Sequence, residues 1–206
     1  MRGAYQLLIA ALTIPACASH SDKEAPFEFG KLRAKVNGSQ FAGHFARDSV
    51  IAIWDSSVRQ MQIEGDQRHG HPPDLVRVTM RCVGLPKPGN YAIGNPFSPV
   101  SAEAFVPPTR WQRIWPYRGI SYRAFLSDSM PPGSLVLDEV DSANRIIKGH
   151  FKVSLRTVNR TPAETLNVRG TFFGRLDFGP PFPRPKARWA PPFQTDCERI
   201  RDAVSM

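Results

Sequence analysis

A two-residue rhythm of apolar and polar side chains, broken by proline and glycine, constrains this chain more than any other feature. Between Ile147 and Arg156, the apolar Ile147, Phe151, Val153 and Leu155 alternate with Lys148, His150, Lys152 and Arg156. A period of two puts one set on each face of a β-strand, whereas a helix needs a period near 3.6. The rhythm returns in Leu75–Val83, where Val76, Val78 and Met80 alternate with Arg77, Thr79 and Arg81. It returns in Val100–Val106, with Ala102 and Ala104 against Ser101 and Glu103. Leu166, Val168 and Phe172 then alternate with Asn167, Arg169 and Thr171. The 20 prolines and 15 glycines suit turns and strand ends, and proline is poorly tolerated inside helices.

Turn signals separate the remaining segments. Asn37-Gly38, a strong hairpin dipeptide, lies between Lys31–Val36 and Ser39–Phe45. Asp55-Ser56-Ser57 separates Val50–Trp54 from Val58–Glu64, and Tyr91–Ile93 follows Pro86, Pro88 and Gly89. Ile120, Tyr122, Ala124 and Leu126 alternate with Ser121 and Arg123, which predicts a strand with Ala124 and Leu126 inward. Pro131-Pro132-Gly133 leads into Ser134–Val140, and Ser142-Ala143-Asn144 joins that to Ile146–Val158. About ten strands with one apolar face predict an all-β domain, a single antiparallel sandwich or barrel. Apolar residues make up 41% of the 206, enough for one core.

The N-terminus reads as an address. Arg2 precedes a mostly apolar Ala4–Ile14, and the small residues Ala16 and Ala18 follow, the pattern of a secretory signal peptide. That stretch is shorter than the roughly 20 residues a spanning helix needs. Two processing routes fit. Ile14-Pro15-Ala16-Cys17 resembles a lipobox, in which Cys17 becomes the lipidated N-terminus; Pro15 departs from common usage. Alternatively, Ala16-Cys17-Ala18 is an A-x-A site and cleavage after Ala18 releases a lipid-free protein. The shortness of the signal and the polar Ser19–Glu24 after it favour lipidation. The expected organisation is therefore a signal over 1–18, a polar tether over 19–30, a β-domain over 31–176, and a proline-rich strap with a short helix over 177–206.

Removal or lipidation of Cys17 leaves Cys82 and Cys197. In an oxidising compartment two such thiols are expected to pair. The bridge would close a loop of about 115 residues, worth about 4–5 kcal/mol in the chain-entropy description. Against it, Cys82 falls on the inward face of its strand, where a free thiol serves as a small hydrophobe. Both readings stand at this level.

The C-terminal stretch is unusual. Gly179–Phe193 holds six prolines with Phe182, Trp189 and Phe193, an extended and stiff composition. Thr195–Ala203 reads as a helix, with Thr195 and Glu198 as a capping box and Cys197, Ile200 and Val204 on one face. The expectation is a strap across the β-domain.

Several short motifs recur in a consistent order: Ala34-Lys35-Val36-Asn37-Gly38, Met61-Gln62-Ile63-Glu64-Gly65, Pro88-Gly89-Asn90-Tyr91-Ala92-Ile93-Gly94, Ile147-Lys148-Gly149-His150-Phe151 and Val168-Arg169-Gly170-Thr171-Phe172. Over Lys31–Leu176 this order resembles a family of uncharacterised bacterial exported proteins, often lipoproteins, that carry a small β-domain of unknown function. The resemblance implies the fold, and no activity, cofactor or catalytic residue. Members of that family end near the last strand, whereas this chain continues for 30 residues beyond Leu176.

Net charge is +9, which can draw anionic partners. The arginines are scattered rather than packed into one run, so solubility alone is an adequate reading, and export argues against nucleic acid. The most suggestive candidate binding loop is Pro107–Arg118, in which Arg110, Trp111, Arg113, Trp115, Tyr117 and Arg118 alternate basic and aromatic groups. Such a set can stack on sugars or meet anionic lipid, although loops of this length more often bury their aromatics. His69 and His71, near Asp66 and Asp74, lack a third defined ligand, so no metal site is assigned. No nucleophile elbow, paired-carboxylate spacing, phosphate loop or Cys-x-x-Cys is present, so neither enzyme nor cofactor is expected.

The functional expectation is a non-catalytic binding or structural module of the bacterial cell envelope, in the periplasm or at the outer membrane. It would be held to the membrane by its N-terminal lipid, with an envelope protein or an anionic glycan or lipid as partner. The alternatives are a lipocalin-like carrier of a small apolar ligand and, less favoured, a hydrolase. Inward pointing of Phe151, Phe172, Met80, Leu126 and Leu155 would fill the interior and disfavour the carrier.

Overall fold

Strand pairing joins the first described strand to the last. The computed structural model describes residues 26–44, 49–67, 73–106, 123–128, 130–157, 162–179 and 195–201. Its strands are β1 (Lys31–Val36), β2 (Ser39–Gly43), β3 (Val50–Asp55), β4 (Gln60–Asp66), β5 (Leu75–Arg81), β6 (Gly89–Ile93), β7 (Val100–Val106), β8 (Arg123–Ser127), β9 (Gly133–Asp141), β10 (Ile146–Thr157) and β11 (Thr165–Phe178); one helical turn, α1 (Cys197–Ile200), follows. The strands form one hydrogen-bonded sheet in the order β2-β1-β11-β3-β4-β5-β7-β8-β10-β9-β6, with β10 also paired to β11.

That extra pairing folds the sheet into two layers. β10 and β11 pair along most of their length, Ile146↔Arg175 to Arg156↔Thr165. Each then hands its far end to the second layer: Leu155–Thr157 to β8, and Arg175–Phe178 to β3. The result is a six-stranded layer, β2-β1-β11-β10-β9-β6, facing a five-stranded layer, β3-β4-β5-β7-β8. Seven strands thereby close a ring, so the molecule is both sandwich and barrel. All pairings are antiparallel except β11 with β3. At one corner, a bridge between His44 and Asp66 ties the end of β2 to β4.

The inner faces meet in one cluster. Leu32, Ala34, Val168, Phe172, Phe151 and Tyr91 from the first layer pack against Ile63, Val78, Met80, Ala102 and Phe125 from the second. The expected hairpin at Asn37-Gly38 is present, and both residues have positive φ (48° and 86°), as a two-residue turn matching strand twist requires.

Three expectations need correction. Phe125, not Ala124 or Leu126, is the inward residue of β8, and it is fully buried. In the apolar run Ala124-Phe125-Leu126 the alternation is ambiguous, the ring takes the core, and a one-residue slip reverses every side chain. The turn after β3 is Ser56–Arg59, longer than Asp55-Ser56-Ser57, because Asp55 Oδ1 accepts from Ser57 N and Arg59 takes positive φ (54°); Val58 is therefore outside β4. The C-terminal helix is a single turn capped by Asp196, whose side chain accepts from Glu198 N, and the chain is extended again at Arg201. Among the described residues no helix is long and apolar enough to cross a membrane.

The last described segment, 195–201, docks against the β-domain. Val83 N donates to Thr195 O, and Cys197 N donates to Val83 O. Tyr91 of β6 bridges to Arg201, Glu198 pairs with Lys87, and Cys197 is bonded to Cys82 with Cα atoms 4.9 Å apart. The edge of β6 is thus partly covered, which blunts a template for unwanted strand pairing. Gly179 is the last described residue before this segment, so Phe182, Trp189 and Phe193 lie outside the described residues.

Candidate functional surface

Of the sequence-derived candidates, only the disulfide pair falls wholly within the described residues, and it is formed. Cys17, the loop residues Arg110, Trp111, Arg113, Trp115, Tyr117 and Arg118, and His69 and His71 lie outside them. Asp66 and Asp74 are described: Asp66 exchanges backbone bonds with His44, and Asp74 N donates to Phe105 O. Among the described residues no three His, Cys, Asp or Glu side chains gather as a metal site would need.

What sequence reading missed lies on the outer faces of the two layers. On the five-stranded layer, register places Glu64, Arg77 and Glu103 side by side on β4, β5 and β7. Arg77 Nε donates to Glu64 Oε2 at 2.6 Å and Arg77 Nη1 to Glu103 Oε1 at 2.7 Å. Burial by itself would pull the Arg77 guanidinium down, but the two carboxylates outweigh it and its pKa is raised. Arg81, four residues along on the same face, is lowered by burial, partly offset by Glu103. Glu64, Thr79 and Ser101 are buried although they face away from the core. The Glu64–Arg77–Glu103 triad carries one net negative charge, which Arg81 beside Glu103 offsets, and it braces three strands; its chemistry is structural.

The six-stranded layer is different. Its outer face carries alternate residues of β1, β11 and β10, and register brings Lys35 opposite Arg169 and Arg169 opposite Lys152. Like charges directly opposed across strands are unfavourable. Among the described residues neither Lys35 nor Lys152 has an ion pair; the flanking positions are Gln40 on β2 and Ser134 on β9. Farther along this face the cations are matched. Arg33 and Lys31 pair with Glu28, and His150 Nδ1 lies 3.4 Å from Asp138. Lys148 sits over the Phe27 ring, 4.4 Å from its centroid.

Two exposed apolar tips stand at the end of the sheet nearest that cation row. Ile93 of β6 pairs with Gly133 of β9, and from there one chain runs on into Phe97 while the other is preceded by Met130. Phe97 is 87% and Met130 79% exposed, the most of any large hydrophobic among the described residues. The Phe97 turn is held in place: Asn95 Oδ1 accepts from Phe97 N at 2.9 Å, and Arg81 Nη1 donates to Pro96 O at 3.1 Å.

The cations were each visible in the sequence as outward members of an alternation, yet they are dispersed over more than 130 positions. Only register makes them neighbours, and the local turn signals do not say that β1 also pairs with β11. Comparison with protein-family models, with curated proteins and with solved structures gave no match.

Proposed function

We propose that this protein is a lipid-anchored module of the bacterial cell envelope that acts by binding rather than by catalysis, of the kind carried by the exported β-domain family its motifs resemble. The observation that carries the reading is the Cys82–Cys197 disulfide, since such bonds persist in oxidising compartments outside the cytoplasm. It joins an N-terminal stretch with the composition of a signal peptide and a cysteine in lipobox context. A binding surface is favoured over an internal carrier site because the interior is filled: Phe41, Tyr91, Phe125, Phe151 and Phe172 are each at most 2% exposed.

Metabolic labelling with a radioactive fatty acid in a bacterial host tests the anchor. Label is expected on the native chain and absent from Cys17→Ser, with the protein fractionating in the envelope. An unlabelled chain, or label that survives Cys17→Ser, overturns the anchor.

A further inference from the structure

We propose that the rim of the six-stranded layer bearing Phe97, Met130 and the Lys35–Arg169–Lys152 row docks onto an anionic phospholipid surface. The inference rests on the envelope reading for the membrane's presence, and on the geometry of the rim for the contact.

The apolar part of the rim is held in water by design of the turn. Asn95 Oδ1 accepts from Phe97 N, Asn95 O accepts from Ser98 N, and Arg81 grips the Pro96 carbonyl. These bonds fix the backbone of the turn, and the Phe97 ring stands 87% exposed on it. Single exposed hydrophobics are ordinary, but the two most exposed among the described residues stand on the chain segments that leave the paired Ile93 and Gly133, at the end of the layer toward which Lys152 lies. That combination matches the headgroup boundary of a bilayer, where apolar side chains enter the acyl edge and cations meet phosphate.

The electrostatics point the same way. Among the described residues, acids near this end are engaged, Asp128 by Arg156 at 3.5 Å and Glu164 by Arg123 at 2.5 Å. Lys35 and Lys152 stand on either side of Arg169 across adjacent strands, so the two lysines hold positive charge that an anionic surface would relieve. Their long stems let the ammonium groups reach past the sheet face.

The tether starts on this same face. Pro26 O accepts from Thr171 Oγ1 at 3.5 Å, and Thr171 is the next outward residue of β11 after Arg169. Cys17 lies nine positions before Pro26, a span of at most about 30 Å when extended. A lipid on Cys17 would therefore hold the six-stranded layer near the bilayer.

The test is co-sedimentation of the full chain carrying Cys17→Ser with vesicles of phosphatidylglycerol and phosphatidylcholine in equal parts, and with phosphatidylcholine alone. Two variants are compared with it, Lys35→Ser/Lys152→Ser and Phe97→Ser/Met130→Ser. Each lysine near an anionic surface is worth roughly fivefold in partitioning, so the lysine variant should bind the mixed vesicles about twenty-five-fold more weakly. The parent's preference for them should fade as salt rises to about 0.5 M. The apolar variant should lose about tenfold. Unchanged melting temperatures show that both variants are folded. Equal binding by parent and variants, or equal binding to both vesicle types, overturns the docking surface. A chain that binds mixed vesicles through this rim but takes no fatty acid in cells retains the docking surface and loses the anchor.

Discussion

Phe151 lies across Gly170 of the neighbouring strand: a Cβ built on that glycine would sit 2.8 Å from Phe151 Cε1. The arrangement is reciprocal, for Phe172 covers Gly149, where a Cβ would lie 2.6 Å from the ring's Cζ and in hard contact with the Val136 carbonyl oxygen. Two Gly-x-Phe motifs, Gly149-His150-Phe151 and Gly170-Thr171-Phe172, thus interleave across β10 and β11. Gly149→Ala should cost about 2–4 kcal/mol, because a backbone oxygen cannot move aside. Gly170→Ala should cost about 1–2, because rings can shift. Urea unfolding midpoints at constant slope check the order, and a Gly149→Ala midpoint equal to wild type would refute it.

The bond between Cys82 and Cys197 spans a sequence separation of 115 and fastens a segment otherwise held by a few backbone bonds, the exposed Lys87–Glu198 ion pair and Ile200. Cys82→Ser/Cys197→Ser should lower stability by about 2–5 kcal/mol. Limited proteolysis should then remove the residues after Val83's partner Thr195 without unfolding the strands. Oxidised protein resists that cleavage; equal cleavage of both forms would contradict the docking.

Arg77 neutralises a carboxylate that is almost sealed from water, the Glu64 side chain being 8% exposed. Arg77→Leu should destabilise by about 2–4 kcal/mol by leaving that charge without its partner. Adding Glu64→Gln should restore at least half of the loss, since it removes the orphaned charge. A double-mutant cycle measures the coupling, and additive losses would show that the pair is not coupled.

Asp141 shapes the β9–β10 turn, accepting from Asn144 N, Asn144 Nδ2 and Ala143 N. The Asn144 bonds hold its carboxyl below the usual range. Its contribution is complete above the ordinary carboxylate pKa near 4 and is lost as pH falls through the lower folded value. The melting-temperature advantage of wild type over Asp141→Asn should accordingly be present at neutral pH and shrink on acidification below about pH 4. A constant difference across that range would count against the role.

The strands themselves were largely legible, because alternation in Leu75–Val83 or Ile146–Val158 reports a backbone periodicity that packing does not override. β8 was not, since Ala124-Phe125-Leu126 has no polar residue to set the phase. Helix length was misjudged because the capping pattern at Thr195–Glu198 is local, whereas the extended Arg201 is fixed by its bridge to Tyr91. The cation row was invisible for another reason. Lys152 meets Arg169 across consecutive strands, but Lys35 joins them only because β1 pairs with the distant β11, and charge scattered along a chain need not be scattered on its surface.

The partnership of β1 with β11 has a consequence for how the chain comes into being. Until Val168–Phe173 is available, Lys31–Val36 can pair only with β2, and an isolated two-stranded hairpin is marginal in water. Contacts this remote in sequence are slow to form. A growing chain therefore gains little from its first hairpin until Thr165–Phe178 has been made. The ring of strands closes only when that segment arrives.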